Sequence, residues 1–201
     1  MSLSRTLAAV TTSVLLASSA QAQLFSTGIG NGSTSRDASS GPAQSILVAN
    51  NTTISGFGFW MGNSTAQSLK FFIFDGGTNV FEQTKSVGTF ASGTLTKTDP
   101  FSFLLQAGRT YTFGVIGSAS GYSVSYFYPT VAVSQNGLSI AGPNTNYGSF
   151  STLTYQGAAG ATMAIQIDGS SAVVPEPSTY ALMGTGLVGL VGLARRRRAT
   201  V

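Results

Sequence analysis

The sequence predicts an all-β protein, an antiparallel β-sandwich of jelly-roll type, and three observations carry that expectation. Between residues 45 and 170 the apolar residues recur with period two, and nowhere with the 3.6-residue spacing of a helix. Turn formers cut this pattern into short runs: Gly62-Asn63, Asp75-Gly76-Gly77, Ala107-Gly108, Asn136-Gly137 and Gly142-Pro143. The composition agrees, because residues 23–173 hold all 13 phenylalanines and most of the 25 glycines but only ten charged side chains. Few charges with many Thr, Val and aromatic residues describe a packed β domain with a hydroxyl and amide surface. One face of such a sheet is apolar, and with no helix to cover it the second layer has to be another sheet.

Taken in order, residues 23–44 are rich in Gly, Ser, Thr and Asn, with Leu24, Phe25 and Ile29 as the apolar exceptions. They read as a short leading strand and a loop that Pro42 ends. Strands are expected at 46–49, 53–61, 69–74, 79–83, 87–96, 101–105, 110–117, 122–128, 131–134, 150–155 and 161–167. The stretch 101–115 has the clearest alternation: Phe101, Phe103 and Leu105, then Tyr111, Phe113 and Val115 beyond a Gln106–Arg109 turn, which predicts a hairpin. No repeat of 20 to 50 residues is visible, which argues against a propeller or solenoid.

Both ends of the chain have a different character. Residues 1–22 read as a secretory signal peptide: Arg5 supplies the positive start, residues 7–17 the apolar helix, and Ala20-Gln21-Ala22 a small-residue cleavage site. Residues 174–201 combine Pro175-Glu176-Pro177, an apolar run over 180–194 and four arginines, Arg195, Arg196, Arg197 and Arg198. The prolines keep the chain extended and accessible. As a helix the apolar run spans roughly 22 Å at about 1.5 Å per residue, short of a hydrocarbon core of about 30 Å. It contains Gly184, Gly186, Gly189 and Gly192, so it makes a poor lasting anchor. The arginines resist crossing and hold the Pro-Glu-Pro box outside the membrane. The division expected is therefore a signal peptide (1–22), a sandwich domain (23–173) and a sorting tail with a single transmembrane helix (174–201).

The order Val-Pro-Glu-Pro-Ser-Thr, short apolar helix and arginine cluster resembles the PEP-CTERM protein-sorting signal of Gram-negative bacteria. The resemblance covers residues 174–198. It implies an exosortase as partner, transient residence in the inner membrane, cleavage near the box, and delivery to the cell surface or matrix. The stretch FSFLLQAGRTYTFGV also resembles a strand, Ala-Gly turn, strand element of extracellular sandwich modules in such proteins.

Charge narrows the function of the domain between the ends. Its acids (Asp37, Asp75, Glu82, Asp99, Asp168) and bases (Arg36, Lys70, Lys85, Lys97, Arg109) balance, so the chain's net charge of +4 comes from its ends. That removes the electrostatic case for nucleic acid. Histidine and cysteine are absent, which excludes histidine-based triads, imidazole or thiolate metal sites and disulfides. The five acids fall at turns and strand ends, where turn chemistry explains them without catalysis. A calcium ion on Asp75 or Asp168 would need further oxygen ligands, and no Asp-rich loop is present. No enzyme activity, cofactor or metal is expected.

Aromatic residues give the remaining candidates. Phe57, Phe59 and Met61 alternate with Ile54, Gly56, Gly58 and Trp60, so a strip of glycines beside the tryptophan offers a floor on which a sugar ring could stack. Phe72 and Phe74 of the next strand would bury it instead. Tyr122, Tyr126 and Tyr128 alternate in the same way, forming either a stacking ladder for polysaccharide or simply core. Asn-x-Ser/Thr triplets at Asn31, Asn50, Asn51 and Asn63 read as turn and surface residues. Thr94/Thr96, Thr110/Thr112 and Thr152/Thr154 are too few and too irregular for an ice-binding ladder. The expected function is a structural or adhesive surface protein among exopolysaccharide. The alternative is a carbohydrate-binding module, and an ice-binding protein or secreted hydrolase comes after both.

Overall fold

Sixteen strands form within residues 22–170, the span that the computed structural model describes, and no helix occurs there. In chain order they are β1 (Ala22–Ser26), β2 (Gly32–Arg36), β3 (Gly41–Val48), β4 (Thr52–Asn63), β5 (Gln67–Asp75), β6 (Thr78–Val87), β7 (Phe90–Lys97) and β8 (Phe103–Leu105). The second half comprises β9 (Thr110–Gly117), β10 (Tyr122–Phe127), β11 (Ser134–Gln135), β12 (Leu138–Ile140), β13 (Thr145–Gly148), β14 (Thr154–Ala158), β15 (Thr162–Met163) and β16 (Ile165–Ser170). The helices expected in the signal peptide and the sorting tail lie outside the described residues.

The strands build two sheets, every pairing in them antiparallel. The first runs β1-β16-β4-β10-β15, with β2 paired to β10 and with β7 and β8 paired to β4. The second runs β11-β12-β3-β9-β5-β6, with β13 beside β3 and β14 beside β13. The sheets face each other across a core that includes Ile46, Val48, Phe57, Phe59, Phe71, Ile73, Phe113 and Val115. The chain is therefore an all-β sandwich of two antiparallel sheets, as its period-two patterning predicts.

Three local differences from the expectation have physical causes. On β4, Asp168 pairs with Gly56 while Gly169 pairs with Ile54, so Ser55 is an extra residue in a β-bulge. The bulge turns Ile54 to the core side with Phe57, Phe59 and Met61, away from Gly56, Gly58 and Trp60. Residues 101–115 do not form a hairpin: β8 pairs with β4 in the first sheet and β9 pairs with β3 and β5 in the second. Their alternation is genuine because both strands turn an apolar face toward the same interior, from opposite sides. The expected strand 87–96 likewise breaks at Gly88, where the chain passes from β6 in the second sheet to β7 in the first. Asn63 pins that crossing by donating its amide to the Gly88 carbonyl at 2.8 Å.

Gln44 joins the layers. It is buried on β3, donates to the Gly142 carbonyl at 2.9 Å and accepts from the Met163 amide at 3.0 Å. Both ends of its amide are thereby satisfied, which a buried polar side chain requires. Two expected strands are largely irregular. Only Ser134 of 131–134 is in a strand, and of 150–155 only the last two residues are. Strands β2 and β13 form instead from Ser-, Thr-, Asn- and Gly-containing sequence whose alternation is too weak to read, and β12 is only the three residues Leu138–Ile140.

A second apolar cluster lies on the other face of the second sheet. Phe72, Phe74, Ile116 and Ala43 are covered there by Tyr147, Leu153 and Phe150 of the β13–β14 region. Glycine makes this possible at one position: a Cβ on Gly114 would stand 2.1 Å from the Phe72 ring and 2.8 Å from the Ala43 Cβ. The missing side chain lets the phenylalanine lie flat across β9.

Candidate functional site

The charged residues are mostly committed to one another. Lys70 meets Glu82 at 2.7 Å, Lys85 meets Asp99 at 2.8 Å, Lys97 meets Asp168 at 2.7 Å, and Arg109 pairs with Asp75. Asp168 also accepts from Gln166 at 2.8 Å. The remaining acid of the domain, Asp37, is exposed and caps its own turn through the Ser39 amide and hydroxyl, bonds that hold its carboxyl below the usual range. Among the described residues no three His, Cys, Asp or Glu side chains converge. Each carboxylate among the described residues thus sits in an ion pair or caps a turn.

The four aromatic candidates fall in different environments. Tyr122 is 1% exposed, inside the core, and its hydroxyl donates to the Ser40 carbonyl at 2.7 Å. Burial pushes its phenol far above the ordinary value, and the ring presents no face to solvent. For this residue the stacking reading gives way to the core reading, because the β10–β4 register aims it inward beside Val124. Tyr126 is half-buried against the same core and fills the space over Gly32, where a Cβ would lie 2.8 Å from its ring. Tyr128 is 68% exposed.

Trp60 sits half-buried on the outer face of the first sheet, opposite Leu95 of β7. Phe72 and Phe74 do not cover it, since they belong to the other sheet. Its glycine neighbours are not an open floor either. A Cβ on Gly58 would stand 2.3 Å from the Thr96 carbonyl, whereas one on Gly56 would meet nothing nearer than the Thr98 hydroxyl at 3.4 Å; further along β4, one on Gly62 would stand 2.8 Å from the Ser92 Cα. Gly58 and Gly62 let β7 press against β4, so their role is strand packing. Beyond Gly62 a shallow groove of about 280 Å³ opens, lined with Ser35, Ser64, Ser92 and Ser123.

Sequence reasoning missed a second aromatic site. At the edge of the outer cluster, Phe74, Gly77, Tyr147, Leu153 and Tyr155 surround a cleft of about 300 Å³. The Phe74 and Tyr147 rings are stacked at 4.8 Å, and Tyr155, 59% exposed, meets Tyr147 edge-on at 5.8 Å. Burial, and secondarily Tyr155, raises the Tyr147 phenol. The turn that brings Tyr155 back holds Ser149 and Leu153 at φ of 63° and 49°, a conformation that side chains other than glycine seldom adopt. The alternating stretch 150–155 reads as a plain strand, so no local signal announces this turn. The pairing of Tyr147 with Phe74 is a tertiary event between distant parts of the chain.

The terminal candidates lie mostly outside the described residues: Ala20 at one end, and Pro175, Glu176, Pro177 and Arg195 to Arg198 at the other. Ala22, expected just before the cleavage point, opens β1 and pairs with Gly169.

Fold and tail together define a class: an all-β sandwich followed by a C-terminal sorting signal. The particular signal is established by comparison, for the PEP-CTERM protein-sorting motif matches residues 173–198, and the chain carries that motif. No curated protein matches the chain. Among solved structures, a family 35 carbohydrate binding module from an environmental isolate is similar at a TM-score of 0.37 and 15% identity. The match covers 62% of this chain and 94% of that one, and at so loose a likeness it carries no argument about ligand or residues.

Proposed function

We propose that this is an exported, non-catalytic surface protein whose sandwich serves as a structural and adhesive unit among exopolysaccharide. The observation that carries the reading is the sorting motif at residues 173–198. In this reading a signal peptidase cuts after Ala20-Gln21-Ala22, and an exosortase engages the Pro175-Glu176-Pro177 box. Arg195 to Arg198 hold the tail helix in the inner membrane until the domain is released to the surface. The absence of histidine and cysteine from the sequence and the ion-paired carboxylates support a non-catalytic domain.

A carbohydrate-binding module is the second reading, favoured by aromatic rings that remain accessible: the half-buried Trp60 on the outer face of the first sheet, and the exposed Tyr128. Cell fractionation tests the first reading. Wild-type protein is expected in the surface and matrix fraction, with a chain lacking residues 195–198 mislocalised. Identical distribution of the two would count against it.

A further inference from the structure

We infer that the cleft between the end of β5 and the β13–β14 pair is a binding site for a neutral sugar ring, with Tyr155 as its stacking platform. The inference deepens the surface reading above and rests on it, because an exported chain meets polysaccharide and the cleft specifies which chemistry it takes. A sugar ring has one or two apolar C–H faces and a hydroxylated edge. Its ideal host offers aromatic faces, hydroxyls at the rim and no formal charge.

The lining has that character. Phe74 and Tyr147 form a stacked pair that closes one wall, Leu153 contributes an apolar contact, and Tyr155 exposes most of its ring. None of the lining side chains is charged. Among the described residues neither the Tyr147 nor the Tyr155 hydroxyl has a hydrogen-bond partner, so two phenols are free to bond a ligand's edge. Gly77 leaves the approach open, with nothing within 4 Å of the place its Cβ would occupy. The cleft's volume of about 300 Å³ lies at the lower end of small-molecule sites.

The backbone gives a second, independent observation. Leu153 adopts φ of 49°, an unfavourable conformation for a bulky residue, and its amide donates to the Ser149 carbonyl at 3.0 Å. Strain of this kind persists where surrounding structure enforces it, and it clusters at binding sites. Here it places Leu153 in the cleft and returns the chain so that Tyr155 stands beside Tyr147.

The test is ligand-detected NMR titration of full-length protein in detergent with cellohexaose, mannohexaose and maltohexaose, and with hexagalacturonate as a charged comparator. At least one neutral hexasaccharide is expected to bind, more tightly than the charged one. Tyr155→Ala should weaken that binding at least fivefold, in line with the worth of an aromatic face. Tyr155→Phe keeps the ring, should lose at most the share of one hydrogen bond, and is expected to bind more tightly than Tyr155→Ala. Because Tyr155 is mostly exposed, its urea midpoint serves as the folding control and should match wild type. No binding to any neutral sugar, unchanged affinity in Tyr155→Ala, or Tyr155-dependent capture of a proline-rich peptide instead would overturn the proposal. Sugar binding that depends on Tyr155, in a protein found retained at the inner membrane, would uphold the cleft and overturn the surface reading. Matrix localisation without Tyr155 dependence would do the reverse.

Discussion

Phe57→Ala removes the ring on which the two sheets meet. Phe57 is fully buried and touches five other rings, from Phe113 at 5.1 Å to Phe59 at 6.3 Å, all at steep interplanar angles. Phe71, Phe81 and Phe113 belong to the second sheet, so the vacated space lies on the seam between the layers. Phenylalanine-to-alanine changes in cores cost about 3–5 kcal/mol through lost transfer energy and the residual cavity. Collapse is limited here, because each neighbouring ring would have to leave a contact of its own, which places the expected loss near 4 kcal/mol. With a urea slope of about 2 kcal/mol per molar, the unfolding midpoint should fall by about 2 M with the slope unchanged. Tyr155→Ala, at an exposed ring, should cost less than about 0.5 kcal/mol. A loss below about 1 kcal/mol for Phe57→Ala would refute the claim that this ring cluster joins the sheets.

Three further predictions concern single side chains, two of them in named contacts and one in the sorting tail. Tyr122 holds a buried phenol whose pKa lies above its ordinary 10.0, so the fold is favoured fully below that pH and loses stability as pH rises past it. Tyr122→Phe should flatten this alkaline decline and cost about 1 kcal/mol at neutral pH through the lost bond to Ser40; an unchanged pH profile in the variant would contradict the assignment. Asp168→Asn leaves Lys97 without its partner, and since Lys97 is 36% exposed the cost should be about 1–2 kcal/mol, less than for a fully buried pair. Differential scanning calorimetry reads it, and a thermally neutral variant would show the pair to be inconsequential. Glu176→Ala should leave the unprocessed precursor in the inner membrane, scored by immunoblot of membrane fractions, whereas normal processing would exclude a role for this carboxylate.

Much of the architecture was legible because period-two alternation reports a half-buried strand wherever its partner lies. The same property hid the topology. Phe101 to Leu105 and Tyr111 to Val115 alternate identically whether they pair with each other or stand in opposite sheets facing one core. The sequence could not announce the Ser55 bulge, since a single inserted residue leaves apolar residues on both sides of it. Among the candidate residues, the tail was readable as a linear signal, with its parts adjacent in order. The Phe74, Tyr147 and Tyr155 cleft was not, because its walls come together only through the fold and through a turn held by Ser149 and Leu153. Glycine carried a double meaning: beside Trp60 it looked like open floor, yet at Gly58 the backbone of β7 occupies that space.

The most direct test of the central claim is intact-mass spectrometry of protein extracted from the cell surface. The account predicts a mature species that begins after Ala22 and has lost Arg195 to Arg198. A surface species that still ends at Val201 would contradict sorting by tail cleavage.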